Sequence, residues 1–84
     1  AYDVKRGKPN ADPYLMVMEK VGTQPWQTIV VENAPLGVSA GVAAKAFTIA
    51  VNTGPLPDEV LTDRGADMLF SKMTDLRDEW PHLF

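Results

Sequence analysis

Two short apolar runs, "WQTIVVE" at 26–32 and "FTIAVN" at 47–52, enclose a stretch of small residues, "PLGVSAGVAAKA" at 35–46. Both runs are rich in β-branched residues and bounded by turn signals. They read as strands buried on both faces, as in a parallel sheet. The stretch between them reads as a helix with Pro35 early, and its alanines and glycines let it approach a sheet closely. The alternation continues on both sides. Residues 1–10 are polar, contain Gly7 and Pro9, and read as a loop. Asp12-Pro13 is a helix start, an acceptor side chain at the N-cap followed by proline at the first helical position. In the helix that follows, "PYLMVMEKVG", Tyr14, Val17, Met18 and Val21 recur at helical spacing and form one apolar face. Gly22 is its C-terminal cap, and Pro25 bars continuation. "TGPLP" is a turn. "PDEVLTDRG" (57–65) reads as a short helix with Asp58 and Glu59 in its first turn and Gly65 at its end. "DMLF" (67–70) is a third short strand, and "SKMTDLRDEW" (71–80) a last helix stopped by Pro81.

Helices and strands in strict alternation predict βαβ units. The expected class is α/β, a short parallel sheet of about three strands with helices on both faces. One flank of "TIVVE" calls for a neighbouring strand that these 84 residues do not contain. The length allows one small domain or part of one. A polar loop at the start, without an initiator methionine, leads us to expect a fragment or a processed product. The formal net charge of -3 gives no electrostatic ground for nucleic acid or an anionic membrane as partner. No apolar run approaches the roughly 20 residues of a membrane span. The first residues lack the apolar core of a signal peptide, so a cytoplasmic location is the default expectation. Without cysteine, neither a disulfide nor a thiolate metal site is available.

Open α/β sheets bind ligands beyond the carboxyl ends of their strands. Here those ends are Glu32-Asn33, Asn52-Thr53-Gly54 and Ser71, and only the first offers a charged oxygen. Glu32 and Asn33 present oxygen ligands, the preference of a hard cation such as magnesium. Two residues cannot complete such a site, because magnesium usually takes one or two carboxylates together with substrate phosphate and waters. A plainer alternative has Asn33 capping the helix that opens at Pro35, with Glu32 in solvent. The two are compatible at Asn33. Lys5, Arg6 and Lys8 lie in the entry loop. A lysine in a Gly/Pro loop before a helix can reach a phosphate as a point charge, or the loop is simply solvated and basic. His82 reads as a solvated tail residue. Ser39, Ser71 and the threonines have no histidine at a plausible partner position, so a serine-hydrolase reading has no support. Trp26 and Trp80 read as packing residues.

Two stretches together carry a resemblance. "RGKPNADPYLMVMEKVG" and, after a short gap, "TIVVENAPLGVSAGVAAKAFTIAV" resemble the C-terminal half of a haloacid dehalogenase-like phosphatase. The branch is that of β-phosphoglucomutase and small sugar-phosphate phosphatases. In that family a lysine in a G-K-P-x-P-D-x-[FY] segment precedes a helix, and an acidic pair ends the next strand in a V-x-E-D-S-x-x-G segment. The match covers residues 5–52. It implies a partial three-layer Rossmann-like core, with residues 1–84 as the C-terminal portion of the core domain. Lys8 would steady the phosphoryl group and the nucleophilic aspartate as charge shifts during transfer. Glu32 and Asn33 would fall on the acidic pair that holds Mg²⁺. Gly37 would let the following helix start close to the metal loop. Four positions depart from the pattern: Asn33 for Asp, Ala34 for Ser, Ala11 for the second proline, and Lys45-Ala46 for Ala-Gly. The first matters most, because an amide oxygen ligates Mg²⁺ without contributing charge.

The family's nucleophile and its acid/base partner are two aspartates in a D-x-D segment, and no D-x-D occurs in these 84 residues. A second motif with Ser or Thr and a cap domain are also expected to lie elsewhere. For the intact protein the resemblance implies a Mg²⁺-dependent phosphatase, acting through a phospho-aspartate on a small sugar phosphate or similar metabolite. The 84 residues alone should be inactive. The alternatives are a β-phosphoglucomutase-type phosphotransferase and a degenerate, non-catalytic module, which Asn33 and Ala34 favour. The family sheet places the strand of the nucleophile beside "TIVVE". The expected partner at that edge is therefore the missing half of the same protein or a second chain.

Overall fold

The computed structural model describes residues 6–84, so Lys5 lies outside the described residues. Helix α1 spans Asp12–Val21, β1 Ile29–Glu32, α2 Pro35–Ala43, β2 Phe47–Val51, α3 Asp58–Thr62, β3 Met68–Phe70 and α4 Met73–Leu83. The three strands are parallel in the order β1-β2-β3. Ile29 pairs with Phe47 and Glu32 with Ala50, while Ile49 pairs with Met68 and Val51 with Phe70. The expected α/β architecture is present, with helices on both faces of the sheet.

Strand periodicity assigns the faces. On one face Val30 packs with Met18 of α1 and with Ala44 and Ala46, while Ala50 packs with Val38 of α2 and Leu61 of α3. On the other, Ile49 and Val51 pack with Leu76 of α4, flanked by Ile29, Met68, Phe70 and Leu83. Small residues bring α2 close to the sheet, as expected. A Cβ on Gly41 would lie 2.7 Å from the Thr48 hydroxyl and 3.1 Å from a Val30 methyl. At the start of the sheet, Asp67 accepts the Thr48 N–H on its carboxylate (2.7 Å) and donates its own N–H to the Thr48 carbonyl (2.8 Å). Among the described residues, no helix is long and apolar enough to cross a membrane.

Several expectations are corrected. Residues Pro25–Gln27 form a 3₁₀ turn, so β1 starts at Ile29 rather than Trp26, and the Trp26 side chain is 80% exposed rather than packed. Nor is β1 covered on both faces. Val31 is 41% exposed and looks into an apolar groove of about 370 Å³ beside Met73, Leu76 and Trp80, because α4 packs against β3 and leaves β1 open. Asp12 is not the N-cap of α1. That position is Ala11, and Asp12 is the first helical residue, its carboxylate held by the Arg6 guanidinium at 3.0 and 3.2 Å. The buried stripe of α1 narrows to Met18 with Tyr14 half-buried, and Val17 and Val21 face solvent. Helix α2 ends at Ala43 because Lys45 adopts a left-handed backbone (φ 65°) that turns the chain into β2. Pro81 does not stop α4. A proline in the last turn forgoes one bond, to the Arg77 carbonyl, and the helix runs on to bury Leu83 beside Ile49 and Val51. Trp80 touches the exposed Phe84 ring at 5.2 Å but is itself 44% exposed, so it packs only in part.

Candidate functional site

The carboxyl ends of β1 and β2 open into a cleft of about 510 Å³ lined by Val31, Glu32, Asn33, Val51, Thr53 and Met73. Glu32, the last residue of β1, points to the side carrying α1 and α2. The start of α2 leaves space for it: a Cβ on Gly37 would overlap the carboxylate carbon of Glu32 and fall 2.6 Å from its Oε1. Gly37 thus admits the Glu32 side chain, which is 13% exposed. A half-buried carboxylate needs partners, and this one has three. Lys8 Nζ and the Tyr14 hydroxyl both donate to Oε1, each at 2.6 Å, and the Asn33 N–H donates to Oε2 at 3.2 Å. The Lys8 ammonium also lies 5.7 Å from the centre of the Tyr14 ring, within cation–π range.

Burial alone would raise the Glu32 pKa. The hydrogen bonds from Lys8 and Tyr14, the Lys8 charge and the Asn33 N–H outweigh it and hold the carboxyl below its ordinary range. Burial, then the hydrogen bond and charge of Glu32, push Tyr14 well above the ordinary tyrosine value. At neutral pH the set is therefore a carboxylate flanked by a cation and a neutral phenol.

Of the expected site residues, Lys8 and Glu32 meet across 24 positions of sequence. Glu32 in solvent is excluded. Asn33 is exposed beside them, and it does not cap α2: the N-cap is Ala34, without a side-chain hydrogen bond. The Asn33 amide instead donates to the Thr53 hydroxyl at 3.4 Å, across the tips of β1 and β2. Its Oδ1 accepts no hydrogen bond among the described residues. The donor set suits a hard cation in kind, being all oxygen, but is short in number. Among the described residues there is no cluster of three or more His, Cys, Asp or Glu that could hold a metal. Glu32 Oε1 is already engaged by two donors, which leaves Glu32 Oε2 and the Asn33 carbonyl oxygen as the atoms that could face a cation. Arg6 is committed to Asp12. Tyr14 is the member that sequence reasoning missed. It sits at the apolar spacing of α1, but a half-buried phenol needs an acceptor, and that requirement was the available signal.

Residues 1–51 match the family described as haloacid dehalogenase-like hydrolase. Over 49 residues, 58% of this chain, the sequence is 51% identical to hexitol phosphatase A of Escherichia coli (strain K12), covering 23% of that protein. Over 83 residues, 99% of this chain, it is 36% identical to validoxylamine A 7'-phosphate phosphatase of Streptomyces hygroscopicus subsp. limoneus, covering 37% of it. A solved structure from Bacteroides vulgatus, provisionally named as a beta-phosphoglucomutase, superposes with a TM-score of 0.91 at 59% identity. That match covers 94% of this chain and 32% of the other. The chain thus spans about a quarter to two fifths of the length of these relatives.

Proposed function

Because the chain belongs to the haloacid dehalogenase-like hydrolases, we propose that it forms part of a Mg²⁺-dependent phosphatase acting on a small sugar phosphate or similar metabolite. The observation that carries this reading is the Lys8–Glu32 ion pair of 2.6 Å at the carboxyl end of β1, where an open α/β sheet binds its ligands. Lys8 presents a fixed positive charge to phosphoryl oxygens, and a preorganised cation there stabilises charge that builds during transfer. Glu32 stays ionised at neutral pH, so it serves as the counter-charge that aims Lys8 and not as a proton donor. Glu32, through Oε2, and Asn33, through its carbonyl oxygen, would face the metal. Magnesium, when bound, neutralises phosphate charge. No D-x-D segment lies in these 84 residues, so the phosphoryl acceptor must come from elsewhere and these residues alone would not turn over.

The test is Mg²⁺-dependent phosphate release from p-nitrophenyl phosphate by the full-length protein. Lys8→Ala should lower kcat by about 10²–10³-fold, the loss expected when one oxyanion-stabilising group is removed. An unchanged rate would overturn the assignment, and no release by the parent protein would favour the non-catalytic module. The likeness to the Bacteroides vulgatus structure supports a second reading, a phosphotransferase that moves phosphate between positions of one sugar. Conversion of a hexose phosphate to its positional isomer, without free phosphate, would select that reading.

A further inference from the structure

We propose that Tyr14 is a positioning residue for Lys8: its hydroxyl fixes the Glu32 carboxylate in the orientation that presents the Lys8 ammonium to phosphate. The proposal rests on Lys8 binding phosphate, as set out above.

Lys8 sits on the loop before α1, outside any helix or strand, with its side chain 43% exposed. Such a side chain has four rotatable bonds and no intrinsic reason to hold one direction. What holds it is a carboxylate at 2.6 Å and an aromatic face at 5.7 Å. Glu32 can aim Lys8 only if the carboxylate is itself prevented from turning. Three donors do this: Lys8 and Tyr14 on Oε1 and the Asn33 N–H on Oε2. The Asn33 bond is the longest, at 3.2 Å, so Tyr14 supplies the short fixed contact that does not come from the lysine being positioned.

Tyr14 is well placed for this. Its ring packs on the cluster of Met18, Val30, Ala44 and Ala46, which anchors the hydroxyl to the sheet through helix α1. Packing needs only the ring, and a phenylalanine would provide it. The hydroxyl has a separate task, and its acceptor is the same oxygen that binds Lys8. One residue thus touches Lys8 twice, through the ring directly and through Glu32 by the hydroxyl.

The experiment measures binding of inorganic phosphate and of Mg²⁺, each alone, to the full-length protein by titration calorimetry, with melting temperature recorded for every variant. Tyr14→Phe removes the hydroxyl and keeps the ring. It should weaken phosphate binding by about 10- to 150-fold, the scale of a hydrogen bond to a charged group, and leave Mg²⁺ affinity within about twofold. Tyr14→Leu removes the ring as well and should weaken phosphate binding further. Lys8→Met tests the premise and should abolish phosphate binding. If Lys8→Met abolishes it while Tyr14→Phe leaves it unchanged, Tyr14 is a packing residue and the proposal alone fails. If Lys8→Met leaves phosphate binding intact, the phosphate role of Lys8 fails and the proposal with it. An equal loss of Mg²⁺ affinity in Tyr14→Phe would also overturn it, because the hydroxyl would then act on the metal ligands.

Discussion

Strand β2 is buried at four consecutive positions, Thr48, Ile49, Ala50 and Val51, whereas β1 buries only Val30. The two runs have similar composition, and both look like central strands. Their surroundings differ. β2 lies between two strands, under α2 on one face and beside Leu76 of α4 on the other. Among the described residues β1 is paired along one edge only, and its α4-side face opens at Val31. The strand that carries the candidate chemistry is therefore the less covered of the two. The difference sets the fully buried β2, which carries more of the core, apart from β1, which carries the candidate site at its end.

The contrast can be broken by mutation. Ile49→Ala removes a fully buried side chain from β2 and should destabilise the fold by about 2–5 kcal/mol in urea unfolding. Gly37→Ala drives a Cβ into the Glu32 carboxylate, so either Glu32 leaves Lys8 or α2 shifts. It should lower stability by about 1–3 kcal/mol, as overpacking does, whereas Gly54→Ala, with nothing within 4 Å, should not. A smaller effect is expected from pH. The folded pKa of Glu32 lies below its ordinary value of 4.5, so the stability it contributes is present above about pH 4.5 and is lost as pH falls through the folded value. Melting temperatures of the parent and Glu32→Gln should differ at neutral pH and converge under acid. A difference constant down to pH 2 would mean that the ion pair does not act. Val31→Ala on β1 should be the mildest, under about 1 kcal/mol, because the side chain is already 41% exposed. A loss at Val31 equal to that at Ile49 would mean that the open face of β1 is covered and the contrast with β2 false.

The order of elements is legible because β1 and β2 are short β-branched runs, β3 is a short apolar one, and most helix ends are marked by proline, glycine or a carboxylate. The unpaired flank of β1 is expected from its sequence, but a run of residues does not show which helix covers which face, so the opening at Val31 is not. Helix ends were misplaced where another contact won. Asp12 went to Arg6 instead of the helix N-terminus, and Asn33 went to Thr53 instead of α2. At Lys45 a left-handed turn ended α2 without the glycine that usually marks one. In the site, Lys8, Glu32 and Asn33 were visible as residue types at strand and helix ends. Their pairing was not, because a contact between residues 24 positions apart depends on how α1 lies over β1. Tyr14 was hidden by its helical spacing, which describes the ring and is silent about the hydroxyl.

The bonds between Asp67 and Thr48 bear on how a three-residue strand finds its place. β3 is so short that its alignment rests on three paired positions. Sliding it by one residue would break both the carboxylate and the N–H bond of Asp67 and send Leu69 from the α3 side of the sheet to the α4 side. Asp67 thus acts as a stop against which the strand docks. With the Asn52 N–H on the Phe70 carbonyl at the other end, it fixes the point from which the chain enters α4.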